Sequence, residues 1–166
     1  MKAIDPMLIE FEQESATTRK LLERLPNDKM DWRPHPKART LGELANHIAT
    51  VQKTVPAAVQ TATYDLGSGG DGVVPKDAAG IVAAFDANVA EAKRLLGRMS
   101  DQDLMSGWEG QLGGRTVFSA RRLGVLRGIL LNHTIHHRGQ LSTYLRQLGV
   151  AIPSIYGPTA DENPFA

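Results

Sequence analysis

His133 and His137 stand four residues apart in the run Asn132-His133-Thr134-Ile135-His136-His137-Arg138-Gly139-Gln140-Leu141. On a helix, positions i and i+4 share a face with β-carbons about 5–6 Å apart. Two imidazoles so placed can converge on one ion at roughly 2.0–2.1 Å. A third histidine, His47, lies between Leu44 and Ile48 in another stretch of helical periodicity. A ligand pair from one helix and a single ligand from a facing helix is a natural way to build a metal site in a bundle. The competing reading makes the three histidines core residues satisfied by hydrogen bonds. Energetics favours the metal, because buried imidazoles without partners cost stability. The apolar stripes offer few partners, and one cation satisfies all three rings. His136 is about 100° round the helix from His137 and reads as a supporting or packing residue. His35, in a loop after Pro34, reads as solvated. Arg138 and Gln140 flank the pair as surface residues, helix-to-helix hydrogen bonders or substrate contacts.

Three protein ligands leave positions open on an ion, which is the arrangement of catalytic rather than structural sites. Water held there would titrate near ~7, and a substrate thiol would ionise in the same place. Hydrolysis also needs a base; Glu10, Glu12 and Glu14 are candidates by type, with no catalytic role assigned. A three-imidazole site accepts zinc, nickel, iron or copper, with zinc, nickel or iron the expected ion. Because a ligating imidazole must be neutral, the ion is expected to be lost below about pH 6. Two alternatives to an enzyme stand beside it: a protein that binds a small ligand through the metal without turnover, and a metal-free interaction module.

The elements that must position these residues are four helices. Ile4, Leu8, Phe11, Ser15, Thr18, Leu22 and Leu25 recur at helical steps, predicting a helix from about Pro6 to Leu25 that ends at Pro26. Thr40 and Glu43 have capping-box spacing, so the helix bearing His47 starts at Thr40 and runs on to Ala58. Pro56 should kink or shorten it. Asp65 to Gly72 reads as a loop or mobile tip. A third helix spans about Pro75 to Arg98, and Ser100 caps one short turn. Ser106 to Arg115 holds four glycines and reads as a loop or short hairpin. The fourth helix runs from about Thr116 to Leu148, closed by Gly149. Its stripe is Leu123, Leu126, Leu130, His133, His137, Leu141, Tyr144 and Leu148. Gly124 and Gly128 in it suggest tight internal packing, or a seam between two copies. No segment alternates convincingly as a strand. The expected fold is an all-α four-helix bundle in one domain over 1–166.

Composition narrows the function. Lys plus Arg is 19 and Asp plus Glu is 18, so no strong field draws nucleic acid or an anionic membrane. The chain has no cysteine, which removes disulfides, thiolate nucleophiles and cysteine-based zinc sites. No apolar run approaches the ~20 residues of a membrane span. The first residues lack the apolar core of a secretion signal, so the expected location is cytoplasmic.

The run from Asn132 to Leu141, followed by Tyr144-Leu145-Arg146 and Gly149, resembles the signature helix of the DinB-like superfamily. Leu41-Gly42-Glu43-Leu44-Ala45-Asn46-His47-Ile48 resembles its second-helix motif, and the tail Pro153 to Glu162 is like that of a subgroup. With the helical layout, the resemblance covers nearly the whole chain. It implies a four-helix bundle, a homodimer, and one divalent transition metal on His47, His133 and His137. It also implies a small-molecule substrate and the chemistry of metal-dependent hydrolases or of transferases and isomerases that use low-molecular-weight thiols. Nothing in the residues identifies a thiol pocket, and the family name carries no implication of DNA repair.

Overall fold

The computed structural model describes residues 2–166, and four long helical rods carry its core. The first is α1 (Asp5–Leu22), which turns its buried Met7, Phe11, Ser15 and Thr18 inward. A 3-10 turn (Asn27–Lys29) follows. Next, α2 (Leu41–Ala58) opens on the expected capping box: Thr40 accepts from the Glu43 amide while the Glu43 carboxylate accepts from the Thr40 amide. Pro56 stays inside this helix, close enough to its end to remove little of the ladder. The third rod is α3 (Ala78–Leu96), capped by Asp77, and α4 (Asp101–Met105) is the short turn capped by Ser100. The last rod is continuous over 122–147. It comprises α5 (Arg122–Val125), a π-helical segment (Leu126–Asn132) and α6 (His133–Gln147).

A small sheet corrects the all-α expectation. β1 (Thr63–Asp65) pairs in parallel with β2 (Gly107–Leu112), which pairs antiparallel with β3 (Arg115–Arg121). The expected short hairpin is therefore real but longer. Thr116 to Arg121 belongs to its second strand, not to the fourth helix, which starts at Arg122. Gly113 and Gly114 have φ of 57° and 77°, the left-handed pair that a two-residue hairpin turn demands. Thr116, Val117 and Phe118 then favour a pleated strand. Trp108, buried on β2, donates its indole N–H to the Ala58 carbonyl at 3.0 Å, so the sheet closes the C-terminal end of α2.

The core has two contiguous halves. One gathers Phe11, Val51, Val55, Trp108, Leu126 and Leu130; the other gathers Leu22, Leu44, Ile48, Phe85, Leu141 and Leu145. α2 therefore runs antiparallel to the last rod. His47 lies between Leu44 and Val51 on one side of the seam, and His133 and His137 lie between Leu130 and Leu141 on the other. Buried Gln52 donates to the Thr134 hydroxyl at 2.9 Å and to the Ile48 carbonyl at 3.0 Å, which locks the register of α2 against α6. Gly124 and Gly128 face outward, and a β-carbon at Gly128 would meet no atom within 4 Å; tight internal packing is not their role. Among the described residues no helix is long and apolar enough to cross a membrane.

Candidate metal centre

Helix register brings His47, His133 and His137 together, with one possible ligand atom from each lying within 4.8 Å of the others. Nε2 of His133 is 3.4 Å from Nε2 of His47 and 2.6 Å from Nε2 of His137. Ligands at ~2.0–2.1 Å from a tetrahedral ion sit ~3.3–3.4 Å apart. The His47–His133 pair already has that spacing, and the His133–His137 pair needs to open by less than an ångström.

The rings are held from behind. Nδ1 of His47 donates to Oδ1 of Asp71 at 2.7 Å, and Nδ1 of His137 donates to Oε1 of Gln140 at 2.7 Å. A proton on each Nδ1 leaves each Nε2 a bare lone pair, which is the tautomer a metal ligand requires. Two lone pairs therefore aim at the His133 nitrogen, and either a proton on that atom or a cation must answer them. The donor set fits a divalent transition metal of the borderline kind. Gln140 also donates to Nε2 of His136 at 3.1 Å, so His136 supports the site through Gln140. His35 is exposed, as expected.

Asp71 is the functional residue that sequence reasoning missed. It sits in the Gly- and Asp-rich stretch after β1, which is a loop but not a loose tip. Asn46 donates to the Asp71 carbonyl at 2.7 Å, the Thr50 hydroxyl donates to the same oxygen at 3.3 Å, and Arg39 pairs with its carboxylate. Burial pushes the Asp71 carboxyl up, yet the hydrogen bonds from His47 and Arg39 outweigh it and hold it below the usual value. It therefore accepts from His47 as a carboxylate. The only trace of this in the sequence is an aspartate among glycines, a pattern equally typical of turns. Asp71→Asn should weaken metal binding by about 10–100-fold. Competition with a chromophoric chelator checks this, and unchanged affinity would show that His47 needs no such support.

Burial drives the His133 pKa down to about 4, with the neighbouring His137, His47, His136 and Arg39 adding to the effect. Burial also lowers His137, against an opposing hydrogen bond to Gln140. Both rings are neutral at pH 7, as ligation requires. In the metal-free protein, the unfolded chain takes up more protons than the folded one between the ordinary His value near 6.5 and about 4. Stability is thus full above pH 6.5 and falls as pH drops toward 4. The His133 shift alone sets a ceiling of ~3 kcal/mol, which partial exposure reduces to about 1–2 kcal/mol. Urea unfolding of metal-free protein at pH 7 and pH 4.5 measures it.

Glu10, Glu12 and Glu14, the carboxylates considered as bases, are engaged elsewhere. Glu10 pairs with Arg127, Glu12 with Lys93, and Glu14 with Arg138. Arg138 is 1% exposed and packs away from the histidines. It bridges α1 to α6 through Oε2 of Glu14 at 2.7 Å, and it also holds the Tyr156 hydroxyl of the C-terminal tail. Of its three readings, the helix-to-helix one is correct.

A cleft of about 340 Å³ opens onto His47 and His133, with Arg39 and Asp71 at the same end. The chain is similar to known proteins over nearly its whole length. The uncharacterized protein YrdA of Bacillus subtilis (strain 168) is 30% identical over 97% of this chain and 92% of its own length. A crystal structure of a DinB-like protein from Bacillus cereus ATCC 10987 superposes with a TM-score of 0.72 at 26% identity, covering 92% of this chain and 97% of that one. A second, the DinB-like protein YjoA of Bacillus subtilis, also gives a TM-score of 0.72, at 17% identity over 97% of both chains, and speaks to the fold alone. The DinB family model matches residues 126–163, and the DinB superfamily model matches residues 10–141, which include all three histidines. The chain belongs to the DinB superfamily.

Proposed function

We propose that this protein is a metal-dependent enzyme, a hydrolase or a thiol-dependent S-transferase, that acts on a small molecule in the cleft beside His47 and His133. The observation that carries the reading is a set of three convergent imidazole nitrogens, two with their lone pairs fixed from behind, at the end of a cleft large enough for a substrate. His47, His133 and His137 would hold zinc, nickel or iron; the ion, when bound, supplies Lewis acidity at the positions its three ligands leave free. The chain's own residues do the rest. Asp71 keeps His47 in its ligating tautomer, Gln140 does the same for His137, and Arg39 sets a positive charge at the same end of the cleft.

The test is metal content and turnover on protein that has never met a nickel column. About one equivalent of a transition metal, with ester hydrolysis or thiol conjugation lost on chelation and regained on reloading, supports the enzyme. Metal with saturable thiol binding but no product points instead to a ligand-binding protein. No uptake of zinc, nickel or iron sinks the metal reading altogether.

A further inference from the structure

The residues that continue the cleft beyond the histidines have no part in holding an ion: Thr50 and Thr54 edge it, and the larger side chains are aliphatic or aromatic. On α2, His47, Val51 and Val55 follow at i, i+4 and i+8, so they stack on one face. This file runs ~12 Å along the helix. On the facing rod, Ile129 stands four residues before His133. All of these residues line the cleft, as do Tyr64 of β1 and Leu66 just after it. The cleft is thus a slot with an imidazole end and an apolar extension. Val51 and Val55 are 6% and 7% exposed, so that extension belongs to the packed core and is already shaped.

The polar end has a definite sign. Three neutral imidazoles offset none of the charge of a bound cation, and the Asp71 carboxylate is balanced by Arg39. With an ion in place the end is net positive; without one, Arg39 and Asp71 cancel and the end is polar without net charge. A positive end continued by an apolar slot selects a ligand with the complementary division.

We infer that the substrate is a small amphiphilic organic anion, whose ionised head sits at the histidine and Arg39 end and whose apolar arm lies along Val51, Val55 and Ile129. This rests on the proposed metal site for the head and on the slot itself for the arm. A neutral polar metabolite or a cation would leave one half of the cleft unmatched.

Butanoate, hexanoate and octanoate serve as probes, with hexylamine as the charge control, titrated by calorimetry against metal-loaded and metal-free protein. Affinity should rise about fourfold per methylene, and hexylamine should bind the loaded protein at least tenfold more weakly than hexanoate. Thr54→Asp and Leu66→Asp each place a carboxylate on the lip of the slot at a partly or well exposed position. Both should flatten the dependence on chain length while leaving metal content unchanged, and either suffices if the other fails to fold. Equal affinity along the series, or equal binding of the amine, overturns the inference. Metal-free protein should keep the gain per methylene and lose only the share of the head group. Metal uptake without chain-length dependence would therefore refute the amphiphile and leave the metal site standing. Chain-length dependence in a protein that takes up no metal would refute the site and leave the slot.

Discussion

His133→Ala is expected to lower metal affinity by about 10²–10³-fold, since one imidazole carries roughly a quarter of the 10–16 kcal/mol of a four-ligand site. Nε2 of His133 faces those of both His47 and His137, so its loss leaves only two ligands, one on each helix. His137→Ala should behave similarly, whereas His136→Ala, acting through Gln140, should cost only a few-fold. Elemental analysis after dialysis reads all three. Retention of tight metal in both His133→Ala and His137→Ala would sink the triad. The same variant tests the acid sensitivity of the metal-free protein: with His133 gone, the stability curve between pH 6.5 and 4 should flatten. Because burial holds His133 at about 4, a proton competes for that nitrogen only well below the value of 6 suggested by an ordinary imidazole. Protonation of His133 itself should therefore contribute to release of the metal only toward pH 4.

The largest effect on stability should come from Arg138→Met. Arg138 is almost fully enclosed and donates to Glu14, to the Thr18 hydroxyl at 3.3 Å and to the Tyr156 hydroxyl. Removing it leaves the part-buried Glu14 carboxylate with the Tyr156 hydroxyl at 2.8 Å as its remaining donor, which costs about 2–3 kcal/mol, or roughly 5–10 °C in Tm for a chain of this size. Glu14→Leu added to Arg138→Met should recover most of the loss, because replacing both charges by apolar groups is often neutral. Thermal unfolding followed by circular dichroism measures both. A loss under 1 kcal/mol in the single variant would mean that Glu14 finds water or another cation. Metal affinity should change little in either protein, which separates this ion pair from the histidine site.

The three histidines were legible because each sits on an apolar stripe with a period near 3.6, and a polar group on such a stripe needs a reason. The capping box at Thr40 was legible because its partners are three residues apart. Asp71 was not: it lies 24 residues from His47, joined to it by a loop with no periodicity to carry the link. The strands were missed for a related reason. Gly107, Gly110, Gly113 and Gly114 dilute any alternation, and Gly110 is there because a β-carbon would come within 3.1–3.3 Å of Leu66 and Trp108. Val117 and Leu123 then allowed the helical pattern to be extended backward through β3. Glu14 and Arg138, both recognised as polar residues of note, could be paired only once α1 and α6 were known to pack together.

The π segment ahead of His133 makes the site a matter of counting. Each residue of an α-helix advances the chain by about 100°, whereas a π turn closes its hydrogen bonds from i to i+5 and takes up one residue more. The segment over 126–132 therefore absorbs a surplus residue. Losing one residue there would restore regular α geometry and leave His133 and His137 close to their present face relative to Leu126. A residue lost between His133 and His137, where the helix is α, would instead turn the two rings about 100° apart. A homologue one residue shorter in the π segment should keep the centre, and one shorter between the two histidines should have lost it.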